Sequence, residues 1–469
     1  MAGGFVSTTA PVDAPGGESK NYTFPLIVLT TLFFMWGFIT CMNDILIPFL
    51  KKIFDLSLAQ AGLIQSAFFG AYFFVSLIYF LISIKIGDPI AKIGYKNGVI
   101  IGLVTAAIGC CLFYPAAEAK VYGIFLIALF VLASGITLLQ ISANPYVALL
   151  GPSASSSGRL NLTQAFNSFG TTIAPVIGGK LIFEAVGGKE HMTADAVKIP
   201  YLVLAATLLA LAGIIALAKL PKFTGEKIEK GLGVLKYSHL TLGVIGIFMY
   251  VGGEVAIGSW LVNYFEKLLG FSEAIAAGFV AYYWGGAMVG RFMGAALLTE
   301  RNRNQKLALM ATITLIAVVA VYFITDGSLS TAFIVLGLII GNCIAFAIGK
   351  SSPPRTLWIF ALIVIGLLIV TCFTSGYVAM WAVIAIGLFN SIMFPTIFTL
   401  AIKGLGKYTC QGSSLLVMAI VGGAIMAPVM GLVLQTVGFQ NGFLFPAICY
   451  LYILYYGISG YKIKSPTPK

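Results

Sequence analysis

The sequence predicts an all-α polytopic membrane protein, with two six-helix bundles, an inserted helical hairpin and about 14 transmembrane helices. Three observations lead there. The 469 residues are 59% apolar and only 9% charged, with a mean hydropathy of +0.99. The apolar residues come in long continuous runs rather than the alternation of a barrel strand. Short stretches of the first half recur, in order, in the second.

The runs fall near 24 to 50, 58 to 86, 97 to 116, 121 to 150, 160 to 186 and 200 to 220. A polar, lysine-rich stretch follows at 221 to 239, PKFTGEKIEKGLGVLKYSH, and reads as a linker. After it come 240 to 265, 274 to 298, 306 to 324, 331 to 349, 356 to 373, 377 to 404, 411 to 438 and 440 to 462. A crossing takes about 20 apolar residues, so each run is a candidate span. The expected organisation is a disordered cytoplasmic leader at 1–22, an N-terminal bundle at 23–220, the cytoplasmic linker at 221–239 and a C-terminal bundle at 240–469. The leader lacks the basic start of a signal peptide.

Repetition locates the hairpin. AGLIQSAFFGAYFF from Ala61 aligns with AGFVAYYWGGAMVG from Ala277, an offset of 277 − 61 = 216. QISANPYVALL from Gln140 aligns with NSIMFPTIFTL from Asn390, an offset of 390 − 140 = 250, and APVIGG from Ala174 with APVMG from Ala427 at 253. The change, 250 − 216 = 34 residues, is the length of a helical hairpin, placed at 303–352 with DGSLS (326 to 330) at its tip.

Lysine and arginine orient the chain. With both termini cytoplasmic, the inner loops collect Lys85, Lys92, Lys96, Arg159, the linker lysines, Arg301, Arg303, Lys306, Arg355 and Lys403. Fewer basic residues fall outside, which is the bias of a multi-pass protein of a plasma or bacterial inner membrane. The net charge of +12 is spread over these loops and signals topology rather than nucleic-acid binding. The seven cysteines, mostly in apolar runs, read as small core residues, with neither disulfide nor metal expected. The sequons at Asn21 and Asn161 fall on the side assigned to the cytoplasm.

Charged groups inside apolar runs mark functional sites by default. They are Asp44 beside Asn43 in the first helix, Glu254 in the seventh and Arg291 in the eighth. Asp44 and Glu254 are candidates for coupling a cation, since a buried carboxylate can take up a proton on one side and release it on the other. The lesser alternative for each is a structural carboxylate held by neighbouring amides. Arg291 is a gating candidate, placed nearer the cytoplasmic end where it could pair with Glu300 or anchor its helix.

Uncharged polar residues form a second set. Gln65, Gln140, Ser142, Asn144, Gln164, Asn167, Ser168, Asn263, Asn390 and Ser391 lie within helices, and Gln164, Asn167 and Ser168 share one face. Amides both donate and accept, as a sugar hydroxyl does, and Trp36, Trp260, Tyr283 and Trp284 offer faces for its CH groups. Amides also tie membrane helices together, and the number of them favours a sugar site. No GxxxxGKS loop or channel filter occurs, and the two histidines, His191 and His239, lie in loops without a paired nucleophile, so no enzyme activity is expected.

NDILIPFL, AGLIQSAFFGAYFF, ANPYVALLGP, RLNLTQAFNSFG, YVGGEV, VGRFMG, SIMFPTIFTLAIKGLG and QGSSLLVMAIVGGAIMAPVMG together resemble the fucose and glucose/galactose proton symporters of the major facilitator superfamily. The resemblance implies the major facilitator fold, alternating access and sugar uptake driven by a cation gradient. It places Asp44 on the coupling carboxylate of the NDxLLP motif and Asn167 on the sugar-contacting amide of NLxQxFNSFG. Two positions depart from the fucose carriers. Gln140 stands where they have a second acid, and Glu254 where they have glutamine, which speaks against fucose, and the glucose/galactose branch fits better because it shares the SIMFPTIFTLAI wording.

The resulting expectation is a monomeric importer of a hexose coupled to a cation, the proton first. Asp44, Asn43 and Glu254 would serve the cation. Gln65, Gln140, Asn144, Gln164, Asn167, Trp260, Asn263, Tyr283, Trp284 and Asn390 would serve the sugar. Sodium is the alternative ion, with Asn43 and Asp44 as oxygen ligands. An uncoupled facilitator and a non-transporting sugar sensor are the rivals. No cofactor beyond the transported H+ or Na+ is expected, and the partners are the sugar and the lipid bilayer.

Overall fold

The computed structural model describes residues 22–179, 194–223 and 230–463. The leader up to residue 21 and the middle of the linker lie outside the described residues, as do the side chains of Asn43 and Asp44.

Fourteen rods make up the described chain. The first six are α1 (Thr23–Ile53), α2 (Leu58–Ile86), α3 (Tyr95–Cys111, continued by Phe113–Ala119), α4 (Tyr122–Leu149), α5 (Ser156–Gly179) and α6 (Lys198–Leu217). After the linker come α7 (Ser238–Leu269), α8 (Glu273–Leu297), α9 (Arg303–Ile324), α10 (Leu329–Gly349) and α11 (Pro353–Phe373). The last three are α12 (Gly376–Asn390, resuming as Met393–Ile402), α13 (Thr409–Met418, then Gly422–Val437) and α14 (Phe439–Gly442 and Ala447–Tyr455). Among the described residues, 12 helices are long and apolar enough to cross a membrane. The other two rods are α5 and α8, which carry Gln164, Asn167 and Arg291.

Local chemistry sets the helix ends. Ser57 and Gln60 form a reciprocal cap that starts α2, and Asn302 and Gln305 do the same for α9. At the end of α4 the last carbonyls lack the i+4 donors of a continuing helix, and Val147 O keeps only the cap N–H of Leu150 from the backbone. Arg159 fills them, donating from Nη2 to Ala148 O at 2.7 Å and from Nε to Val147 O at 3.2 Å. This guanidinium, expected as a topology signal, is a buried helix cap.

The pairings of the first half recur in the second. α1 packs on α5 as α7 packs on α13, α2 on α4 as α8 on α12, and α3 on α6 as α11 on α14. Glycine permits the closest of these approaches. A Cβ at Gly37 of α1 would lie 2.0 Å from the Asn167 carbonyl oxygen of α5, and one at Gly422 of α13 lies 2.2 Å from that of Phe248 on α7. α9 and α10 stand outside this repeat. They pair with each other and lie against α8, α11 and α12, and α9 buries none of its residues.

The two halves meet along α5 and α8, with α2 and α4 against the start of α13. Close contacts gather at the end that bears the linker. A Cβ at Gly158 would lie 2.5 Å from Leu298 O, Ser157 Oγ is 3.2 Å from Thr396 Oγ1, and Gln411 Nε2 donates to Gly231 O of the linker at 3.3 Å. The linker is pinned to the first half too, through Gly231 N–H to Ile84 O at 2.9 Å and Tyr146 OH to Pro221 O at 2.8 Å. The molecule is therefore sealed at its linker end.

Candidate functional site

α7 carries Tyr250 and Glu254 one turn apart, so their side chains lie on one face. Tyr250 OH donates to Glu254 Oε1 at 2.7 Å, and Arg291 Nη2 from α8 reaches the same oxygen at 3.5 Å. Glu254 is buried, and Arg291 is mostly so. A buried carboxylate needs both a counter-charge and hydrogen bonds, and Glu254 has both.

Arg291 does not turn toward Glu300, as its position near the end of α8 suggested. Its depth is better measured from the turn that joins α7 to α8. Glu254 lies 269 − 254 = 15 residues before the end of α7, and Arg291 lies 291 − 273 = 18 residues after the start of α8. At 1.5 Å per residue the two are within about 5 Å of the same height. The 32-residue α7 extends farther at the linker end than the 25-residue α8, which made Arg291 look peripheral when counted from there.

The rest of the guanidinium is also committed. Nε donates to Ser391 O at 3.2 Å, and Nη1 donates to Ser168 Oγ on α5, in the other half. The Ser391 carbonyl is available because residue 395, its donor in a regular helix, is proline and has no N–H. α12 breaks at this point.

A second strand of bonds runs beside the first. Asn390 Nδ2 donates to Tyr283 OH at 2.9 Å, and Tyr283 OH donates to the backbone oxygen of Glu254 at 3.1 Å. Asn390 Oδ1 is buried and meets no donor of the chain. Glu254, Arg291, Tyr283, Asn390 and Ser168 thus form one connected cluster at the seam between the halves.

The other candidate residues are distributed around it. Asn167 precedes Ser168 and spends its Nδ2 on Phe33 O of α1 at 3.0 Å, beside the Gly37 contact. Gln164 is buried one turn away. On α4, Gln140 and Asn144 are buried, with Gln140 Oε1 and both polar atoms of Asn144 unpaired. Gln140 borders the Tyr72 hydroxyl, as do Trp36 and Thr40 of α1. Gln65 and Asn263 are half-buried. Trp260 donates from Nε1 to Ala427 O at 2.9 Å and packs on Gly431, which commits it to the α7–α13 contact. Trp284 is 40% exposed and stands edge-on to Tyr283, with ring centroids 5.1 Å apart.

Sequence reasoning missed Tyr250, although its position four residues before Glu254 is a readable signal. It also missed Asp88. This residue caps the short helix Pro89–Ile93, accepting from Ile90 and Ala91 N–H at 3.0 and 3.2 Å and from Tyr79 OH, and the backbone of Gln411 from the other half lies beside it. Among the described residues no group of three His, Cys, Asp or Glu side chains could hold a metal.

Comparison with known proteins adds an independent line. The Major Facilitator Superfamily model matches residues 27–353. The chain is 47% identical over 464 residues to a glucose/galactose transporter of Brucella abortus, covering 97% of this chain and 99% of that one. It is 34% identical over 473 residues to the L-fucose-proton symporter of Escherichia coli, covering 94% of each. The solved structure of the transporter FucP in its outward conformation superposes with a TM-score of 0.75 at 31% identity, covering 94% of this chain and 99% of that one.

Proposed function

Since the chain belongs to the major facilitator superfamily, in the branch of the glucose/galactose transporters and L-fucose-proton symporters, we propose that it imports a hexose of the glucose/galactose type by alternating access, coupled to a cation gradient with the proton as coupling ion. The observation that carries this reading is the connected polar cluster buried where the two halves meet. A pore would keep such groups hydrated, whereas a carrier encloses them and exposes them in turn.

In this reading the seal at the linker end corresponds to an outward-facing state, with the linker and both termini on the cytoplasmic side of the inner membrane. Sugar enters from the far end and meets amides from both halves. Gln140 Oε1 and Asn390 Oδ1, acceptors without donors, suit sugar hydroxyl protons, and Gln164 and Asn167 present further amides from α5. Trp284 can cover a CH face. Asp44, in the half of α1 remote from the linker end, serves as the coupling acid with Asn43 beside it. Glu254, the acid of the opposite half, is paired with Arg291, which supports assigning the ion to Asp44.

Purified protein in liposomes tests this. An imposed inward proton gradient should drive accumulation of labelled glucose or galactose, and D44N should abolish accumulation while counterflow persists in part. Accumulation that follows a sodium gradient at fixed pH would transfer the coupling to Na+ at Asn43 and Asp44. Equilibration without accumulation under either gradient would make the protein a facilitator, and sugar binding without flux would make it a sensor.

A further inference from the structure

Ser168 is on α5 and Arg291 on α8, so their bond crosses from one half of the molecule to the other. Along the seam it is flanked by ring packing, a close glycine approach and a weak hydroxyl-to-sulfur bond, and nearer the linker end Ser157 meets Thr396. On the linker side Phe166 meets Phe292 with ring centroids 5.6 Å apart, and Asn161 lies under Gly294. On the far side Thr172 Oγ1 approaches Met288 Sδ at 3.8 Å.

The guanidinium is a rigid planar fork, so fixing two of its nitrogens aims the third. Ser391 O fixes Nε and Glu254 fixes Nη2, both from the second half, and Nη1 is thereby directed across the seam at Ser168. Gly290, next to Arg291, allows this depth, since a Cβ there would lie 2.3 Å from Ser391 Oγ. Ser168 Oγ is oriented to accept because its own proton goes to Gln164 O at 3.0 Å.

We propose that Arg291 is a latch that holds the linker end closed through Ser168, and that Glu254 is its positioning residue rather than a carrier of the transported ion. The inference rests on the alternating-access reading, but not on which sugar or ion is moved. Opening the linker end requires the bond between Nη1 and Ser168 to break. The expected sugar contacts Gln164, Asn167 and Asn390 all belong to the segments the latch joins, so a sugar that reorders them loosens it.

Spin labels at S153C and E300C, exposed positions at the linker end of opposite halves, read the latch directly as a distance. Cys41, Cys111 and Cys343 are first replaced by alanine. The parent is expected to show one short-distance population. S168A and E254Q should each raise the long-distance population severalfold, and R291K, whose single nitrogen lacks the spread of the guanidinium fork, should fall between. The double variant S168A/E254Q should show no more opening than either single variant, since both remove the same bond. Parent-like distances in folded S168A would overturn the latch, and this variant leaves the Glu254–Arg291 pair in place if E254Q fails to fold. Additive shifts in the double variant would overturn the positioning role of Glu254. None of these distances needs added sugar, so a failure to transport hexose leaves the test intact.

Discussion

Pro395 leaves the carbonyl of Ser391 without a helical donor, and Arg291 takes it with Nε at 3.2 Å. A helix defect four residues away from the proline thus becomes a binding position for a side chain of another helix. P395A supplies the missing N–H, so α12 can close its break and compete with Arg291 for Ser391 O. A proline within a helix costs about 3 kcal/mol where it is not otherwise accommodated. The melting temperature should therefore hold or rise while initial sugar uptake falls severalfold. Unchanged uptake in a more stable P395A would show that the break has no part in the cycle.

Tyr250 makes a second prediction about the same cluster. Y250F removes the 2.7 Å hydrogen bond to a buried carboxylate without changing the ring that packs around it. Hydrogen bonds to charged groups contribute about 1.5–3 kcal/mol, so the variant should melt lower in detergent. In an E254Q background the loss should shrink, and a double-variant cycle should give a coupling of about 1 kcal/mol or more. A coupling near zero would mean that Tyr250 contributes packing alone.

The fold class was legible because hydropathy reports which segments cross a bilayer, and repeats such as Pro145 against Pro395 report how the halves correspond. The partners of the polar groups were less legible. Hydropathy gives the depth of Glu254 but not which neighbour it faces, and Arg291 was measured from the wrong end of its helix. The Ser391 carbonyl could not be found from side-chain chemistry, since the donor it lacks is set by Pro395. Trp260 looked like a sugar platform from its type and depth, whereas its Nε1 is bound to Ala427 O inside one half. Sequence reports the residue type and not the azimuth of its helix.

Glycine substitutions separate close helix crossings from open surface. At Gly387 of α12 a Cβ would lie 2.0 Å from the Tyr283 backbone oxygen of α8, an atom that cannot rotate away. G387A must push α8 and α12 apart, which also disturbs the bond from Asn390 to Tyr283. A cost above about 2 kcal/mol is expected, seen as poor recovery of monodisperse protein. G278A on the same helix α8 meets nothing within 4 Å and should be neutral or stabilising by up to about 1 kcal/mol. Equal recovery of both variants would show that the crossing is loose.

Asp88 lies outside the membrane-spanning segments, at the linker end, and predicts a pH dependence of stability. Burial pushes its carboxyl above the usual range, against the opposing effect of the hydrogen bonds from Tyr79, Ala91, Ile90 and Gln411. Between the unfolded and the raised folded pKa, the folded protein holds a proton that the unfolded chain has released. Stability attributable to Asp88 therefore falls as pH rises through that window and levels off above it. D88N keeps an acceptor for the N–H groups of Ile90 and Ala91 but cannot ionise, so its melting temperature should lose this part of the pH slope. D88A removes the cap as well and should be less stable than D88N by about 1 kcal/mol at every pH. Melting curves of the parent, D88N and D88A from pH 4 upward decide the point. If D88N retains the parent slope, the titration belongs to another group and Asp88 acts only as a helix cap.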